Sequence, residues 1–371
     1  MSQPISSKKP TAAAPEASDT IKVVIRFKGK EDLSDAEIAK WEFDEEYTSV
    51  QAPRPPGDTR TNMDTLKYTF DDILVEASQE KMYYYAGQET VKLFTSGFNG
   101  TIFAYGMSGT GKTYSMLGPE TVVEVIKQGG EISEEIQSQY GIIPRAIRDI
   151  FEFMNYAIEK EGASFELMMN YFEIYKESLN DLLQPNKESA NNLKMLGSKV
   201  VNSYKVMIDS PQTIFENIKR GQNRVHTEAT GMNDRSSRSH SILVLEYNQI
   251  NKDGSKKNAK LNLVDLAGSE RIAKTGASGK VLEEAKKINL SLTVLGRVIQ
   301  ALGEGGNVPF RESTLTKLLK ESLGGNSKTA LLCTTSRKDA HLEETLQSLQ
   351  FAKRVKKVKN KAVVSVQLTT E

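Results

Sequence analysis

Gly106-Met107-Ser108-Gly109-Thr110-Gly111-Lys112-Thr113 has the spacing G-x-x-x-x-G-K-T. This is the pattern of a loop that holds the phosphates of a nucleoside triphosphate. Its glycines let the backbone curl so that N–H groups from Gly106, Met107, Ser108, Gly109, Thr110 and Gly111 can face phosphate oxygens. A helix opening after the loop adds the positive end of its dipole. Lys112 would reach the β- and γ-phosphates, and the Thr113 hydroxyl would bind Mg²⁺.

Two further stretches can sense a γ-phosphate. Val264-Asp265-Leu266-Ala267-Gly268-Ser269-Glu270 follows an apolar run. An acidic residue at a strand end can hold Mg²⁺ through its waters, which assigns Asp265, and Gly268 can offer a bare backbone N–H. Asn233-Asp234-Arg235-Ser236-Ser237-Arg238-Ser239-His240 is polar and leads into a strand. Its serine hydroxyls suit Mg²⁺ and phosphate oxygens. Alone, each stretch is a turn or a polar loop. In one chain, after a phosphate loop, they read as a nucleotide site.

These groups need a scaffold. Gly100 to Tyr105 reads as a buried strand before the loop, and Tyr114 to Leu117 opens a helix after it. Other strands are expected at Ile21 to Phe27, Lys67 to Phe70, Phe165 to Tyr175 and Thr329 to Thr335. His240 to Gln249 and Lys260 to Leu266 flank Lys252-Asp253-Gly254-Ser255 and read as a hairpin. Helices are expected at Gln79 to Thr95, Ile142 to Ile158, Lys176 to Leu183, Ser210 to Arg220, Leu282 to Leu302, Thr314 to Leu323 and Glu343 to Lys359. Glu31 to Asp64 and Gln184 to Ser198 read as polar and irregular, and Pro119 to Tyr140 as an acidic surface insertion. Met1 to Asp19 reads as a flexible arm. Alternating strands and helices predict an α/β fold, a central sheet with helices on both faces.

The chain has 371 residues, enough for one large α/β domain or two smaller ones. Net charge is only +1, so no global field points to nucleic acid or a membrane. The charge is unevenly spread: from Val281 onward there are 15 Lys/Arg against 9 Asp/Glu, a local excess of positive charge. That suits an acidic partner. The single cysteine, Cys333, excludes an internal disulfide and reads as a buried strand residue. His226, His240 and His341 lie far apart, so structural zinc is not expected. No signal peptide or membrane-spanning run is seen, which fits a cytosolic or nuclear protein.

At this point the chain resembles the kinesin motor domain, a P-loop NTPase fold with a mixed central sheet. The resemblance rests on Phe103-Ala104-Tyr105-Gly106 with Gly111-Lys112-Thr113, Ser236-Ser237-Arg238-Ser239-His240, and Asp265-Leu266-Ala267-Gly268-Ser269-Glu270. Tyr171-Phe172-Glu173-Ile174-Tyr175, Val308-Pro309-Phe310-Arg311-Glu312-Ser313 and Leu323-Gly324-Gly325-Asn326 extend it, from about Ile21 to the C-terminus. It implies a microtubule-stimulated ATPase that uses ATP and Mg²⁺ and acts on cytoplasmic microtubules. By the same resemblance, Thr113 and Ser237 would ligate Mg²⁺, with Asp265 acting through water. Asn233 and Ser236 would touch the phosphates and the attacking water. Arg238 and Glu270 would close as an ion pair when the γ-phosphate is sensed, with Glu270 on the proton path. Arg26, Lys28 and Tyr114 would hold the base. The family usually has Arg-x-Arg-Pro where this chain has Arg26-Phe27-Lys28-Gly29, and Gln where it has Met107. Weaker or less base-selective binding is expected from these departures.

The resemblance also places a microtubule-facing helix at Leu282 to Leu302, with Leu290 replacing the usual Lys. Lys274, Lys280, Lys286, Lys287, Arg297, Arg311, Lys317 and Lys320 are the expected contacts for acidic tubulin. Lys361 to Glu371 resembles a neck linker of plus-end-directed, N-terminal-motor kinesins, with Ser365 replacing a common Asn. The arm before Thr20 would supply a covering strand. The domain plan is thus an arm at 1–19, a motor domain at 20–360 and a linker at 361–371, a head expected to dimerise within a longer protein. Two rival readings are a microtubule depolymerase of the same fold and a non-motile microtubule-binding module.

Overall fold

The computed structural model describes residues 19–29, 33–55, 57, 66–130, 132–228, 236–270 and 280–367. Its centre is a mixed sheet of ten strands, eight of them on one continuous path: β1 Lys22–Phe27, β2 Asp72–Val75, β3 Gly100–Gly106, β4 Ser164–Tyr175, β5 Val206–Met207, β6 His240–Ile250, β7 Lys256–Asp265 and β8 Lys328–Thr335. They lie in the order β5-β4-β6-β7-β3-β8-β1-β2. From β7 to β2 neighbours are parallel, and from β5 to β7 they are antiparallel.

Side chains alternate between two cores, as period-two strands buried on both faces require. Val24, Ile102, Ala104, Leu243 and Leu332 face one side. Ile25, Phe103, Ile242, Val264 and Cys333 face the other. The first core is closed by α1 Lys112–Leu117, α2 Glu120–Gln128, α3 Ile142–Glu161 and α4 Pro211–Glu228. The second is closed by α5 Lys280–Glu304, α6 Thr314–Leu318 and α7 Leu342–Val355. The expected α/β layering and the β6–β7 hairpin are both present.

Several local expectations are corrected. The acidic insertion is not merely surface: Val122, Val123 and Ile126 give α2 an apolar stripe, which is buried in the first core. No helix forms over 176–183. Lys176 and Glu177 have φ of 52° and 67°, a left-handed reversal that sends Ser178–Asp181 back along β4. Neither residue is a glycine or asparagine, so the turn leaves no ordinary sequence signal.

The stretch read as irregular near the N-terminus contains a helical turn, Asp35–Ile38. Its strands Glu42–Phe43 and Ser49–Gln51 join Lys67–Thr69 in a small sheet. Trp41 is buried there, edge-on to Phe27. The polar stretch after β4 likewise includes a helical turn, Lys187–Ala190, and the strand Met195–Leu196. The last helix ends at Val355, and Lys359–Asn360 instead pairs with Asp19–Thr20. The rest of the arm lies outside the described residues.

Candidate active site

β3 delivers the phosphate loop. Gly106 has φ of 151°, and a Cβ there would stand 2.1 Å from the Thr334 carbonyl oxygen, so no side chain fits. Gly111, with φ of 96°, turns the chain into α1. Lys112 is buried, and its Nζ donates to the carbonyl oxygens of Gly106 and Met107, both at 3.0 Å. Burial pushes its pKa down, against the pull of Asp265 and Glu270. Thr110 Oγ1 donates to the Met107 carbonyl at 2.7 Å and meets Thr334 Oγ1 at 2.7 Å. The loop residues Ser108 to Thr113 line a cleft of about 940 Å³ with Arg26, Lys28, Tyr114, Ser237 and Asp265.

Arg26 lines this cleft beside Tyr114. Its Nη1 donates to Gln79 Oε1 and Ser115 Oγ, each at 2.7 Å, and its Cζ lies 5.5 Å from the Tyr114 ring centre. Burial pushes the guanidinium pKa down. Gln79 also donates to the Tyr114 carbonyl at 2.8 Å. Gln79 was not singled out in the sequence, where a glutamine opening a helix carries no signal. Lys28 is exposed, and its N–H donates to the Thr335 carbonyl. Among the described residues, and apart from its own chain neighbours, no atom lies within 4 Å of where a Gly29 Cβ would stand.

Strand register brings the sensors to the loop. Asp265 at the end of β7 pairs with Ala104 of β3 on one side and Ser241 of β6 on the other. Thr113 Oγ1 donates to Asp265 Oδ2 at 2.5 Å. Burial raises the Asp265 pKa, opposed by that hydrogen bond and by Lys112. Its Oδ1 is buried without a hydrogen-bond partner among the described residues. An orphaned carboxylate oxygen beside a threonine hydroxyl, with Ser237 on the same cleft, is a donor set that fits Mg²⁺.

The Gly268 N–H donates to the Ser237 carbonyl and the Ser269 N–H to the Gly106 carbonyl, each at 3.0 Å. The two sensor segments and the loop are therefore sewn together by backbone. Ser236 opens the 3₁₀ turn Ser236–Arg238, and Asn233 lies outside the described residues. The Glu270 carboxylate, expected to meet Arg238 when the γ-phosphate is sensed, is held here by the phosphate loop. Glu270 Oε2 accepts from the Ser108 N–H at 2.9 Å and Oε1 from the Ser108 hydroxyl at 2.5 Å. Two donors on one loop residue satisfy the carboxylate locally.

On the second-core side, Arg311 and Lys320 are exposed and Lys317 is half-buried. Arg297 is exposed and paired with Glu312. Lys280, Lys286 and Lys287 are on α5, and Lys274 lies outside the described residues. Leu290 is 40% exposed. The tail lies against the sheet. Lys361 and Ser365 N–H groups donate to the Gly325 and Gly97 carbonyls at 3.0 and 3.1 Å. The Val363 N–H donates to Asn326 Oδ1 at 2.7 Å, and Val366–Gln367 pairs with Lys256 and Lys257 of β7. Backbone groups carry these bonds, so Ser365 in place of Asn does not remove them.

A phosphate loop at the end of a central parallel strand, flanked by two backbone-linked sensor segments, defines a P-loop nucleotide-binding protein. The family model "Kinesin motor domain" matches residues 25–358, and the chain belongs to that family. It is 39% identical over 361 residues to the kinesin heavy chain of Drosophila melanogaster, covering 96% of this chain and 35% of that protein. It is 38% identical over 364 residues to the human kinesin-1 heavy chain, covering 96% and 35%. A solved structure described as a fast kinesin aligns with TM-score 0.79 at 37% identity, over 94% of this chain and 95% of that one. The chain spans about a third of the length of the curated relatives it matches. Among the described residues, no helix is long and apolar enough to cross a membrane.

Proposed function

We propose that this chain is an ATP-hydrolysing, microtubule-based motor domain. One observation carries the proposal: the phosphate loop and both sensor segments meet at the Asp265 end of the adjacent strands β3, β6 and β7, and the tail docks at the Lys256 end of β7. The ten-residue strand β7 thus runs from the nucleotide cleft to the tail.

The phosphate loop and Lys112 bind the triphosphate, and Arg26, Lys28 and Tyr114 position the base. Thr113, Ser237 and Asp265 would hold Mg²⁺, which supplies charge neutralisation at the phosphates. Asn233 and Ser236 orient water, and the Gly268 N–H would leave the Ser237 carbonyl to meet the γ-phosphate. Glu270 accepts the water's proton, directly or through a relay. Leaving Ser108 would free its carboxylate for Arg238. Lys274, Lys280, Lys286, Lys287, Arg297, Arg311, Lys317 and Lys320 meet acidic tubulin. Residues 361–371 act as a neck linker, with residues before 20 as its covering strand. The same proposal covers plus-end direction, a site on cytoplasmic microtubules and a dimer in the full-length protein.

Gliding of polarity-marked microtubules over surface-held protein with ATP tests it. Minus-end-leading gliding is the result expected of an attached plus-end motor. Shortening of the filaments would favour a depolymerase, and static binding a non-motile module. Either outcome, or plus-end-leading gliding, overturns the proposal.

A further inference from the structure

His240 opens β6 and is 2% exposed. Its Nδ1 accepts the Ala267 N–H at 3.0 Å, and its Nε2 lies 2.7 Å from Ser291 Oγ. A backbone N–H can only donate, so Nδ1 is bare and Nε2 carries the proton. That proton is donated to Ser291. Burial and the Lys112 ammonium push the ring's pKa down to about 3, so it is neutral with both nitrogens used.

The three partners belong to three parts of the molecule. His240 follows the Ser236–Arg238 turn directly after Ser239. Ala267 stands between Asp265 and Gly268. Ser291, 2% exposed, lies on α5 one turn before the buried pair Val294 and Leu295. Because His240, Ala267 and Ser291 are all buried, a shift of either neighbour must carry the ring along or leave a buried polar group unpaired.

We propose that His240 is a positioning residue that couples the Asp265–Glu270 segment to α5, so that movement at the nucleotide is passed to the microtubule-facing helix. This rests on the motor reading above. The ring is suited to the task because it is rigid and spans two partners, whereas a chain of flexible side chains would absorb the displacement.

Two variants cut the link at different points. His240→Asn can keep an acceptor for the Ala267 N–H but is too short to reach Ser291. Ser291→Ala removes the acceptor and leaves the ring intact. Steady-state ATPase is measured with and without microtubules, together with the KM for ATP and the melting temperature.

The expected result is about a tenfold loss of microtubule stimulation in each variant, the scale of one buried hydrogen bond, with KM for ATP within about twofold. The double variant should be no worse than the worse single, because both remove one link. Additive losses overturn the coupling. So does stimulation within about twofold of wild type in folded Ser291→Ala, including the case where only the melting temperature falls. Should His240→Asn not fold, Ser291→Ala decides alone. A wild-type protein without microtubule stimulation overturns the motor reading itself. A stimulated wild type with unaffected variants overturns only the coupling.

Discussion

Glu270 and Ser108, 162 positions apart, are joined by two hydrogen bonds, from the Ser108 N–H at 2.9 Å and its hydroxyl at 2.5 Å. The tip of the Asp265–Glu270 segment is thus fastened to the phosphate loop through a carboxylate. Ser108 also lines the cleft.

Glu270→Ala removes the carboxylate assigned to the proton path and leaves the loop intact. Nucleotide affinity should stay within a few-fold of wild type, while the hydrolysis rate falls by about a hundredfold or more. Equilibrium binding set beside single-turnover hydrolysis checks this. Near-wild-type turnover would remove Glu270 from the mechanism.

Ser108→Ala deletes the hydroxyl bond and keeps the backbone one. Loosening Glu270 without losing it should change turnover by only about three- to tenfold, the range of a single charge-assisted hydrogen bond. Steady-state kinetics give the number. A loss as large as that of Glu270→Ala would mean that Ser108 has a catalytic duty of its own.

Asn360 is 3% exposed, with every amide group engaged. The two hydrogens of its Nδ2 are shared among three acceptors, the carbonyl oxygens of Ser322 and Ser327 and Thr329 Oγ1, and its Oδ1 accepts the Gly324 N–H at 2.7 Å. Asn360→Ala strands these partners at the root of the tail. It should cost about 2–4 kcal/mol of stability. Denaturant unfolding measures the loss, and a change below about 0.5 kcal/mol would contradict the buried network.

The buried neutral His240 predicts a pH dependence of stability. In the fold its pKa is pushed down to about 3. In the unfolded chain it lies near ~6.5. Above that value neither state binds the proton, and the fold keeps its full stability. As pH falls below it, the unfolded state gains a proton that the native ring cannot take, and stability declines down to about pH 3. Between pH 7.5 and 5.5, wild type should lose about 1 kcal/mol more than His240→Asn. Urea titrations at the two pH values check this, and equal losses would mean that the ring is protonated in the fold.

Much of this protein could be read without coordinates. Gly106 to Thr113 specifies its own backbone, because glycine tolerance and the missing Cβ act over a few residues. The alternation of Ile102, Phe103 and Ala104 assigned a two-faced strand. The family strings assigned the sensors. What tertiary structure decided lies in contacts between distant positions. The reversal at Lys176 and Glu177 is imposed by pairing with β4, against residue preference. The sequence offered Arg238 as a partner for Glu270, and the register of β3 beside β7 brought the Ser108 donors to it. His240 was a letter in a motif until Ala267 and Ser291 closed around its two nitrogens. A sequence specifies which donors and acceptors a chain owns. Which of them meet depends on how strands align and helices pack, and that is settled by burying the two cores.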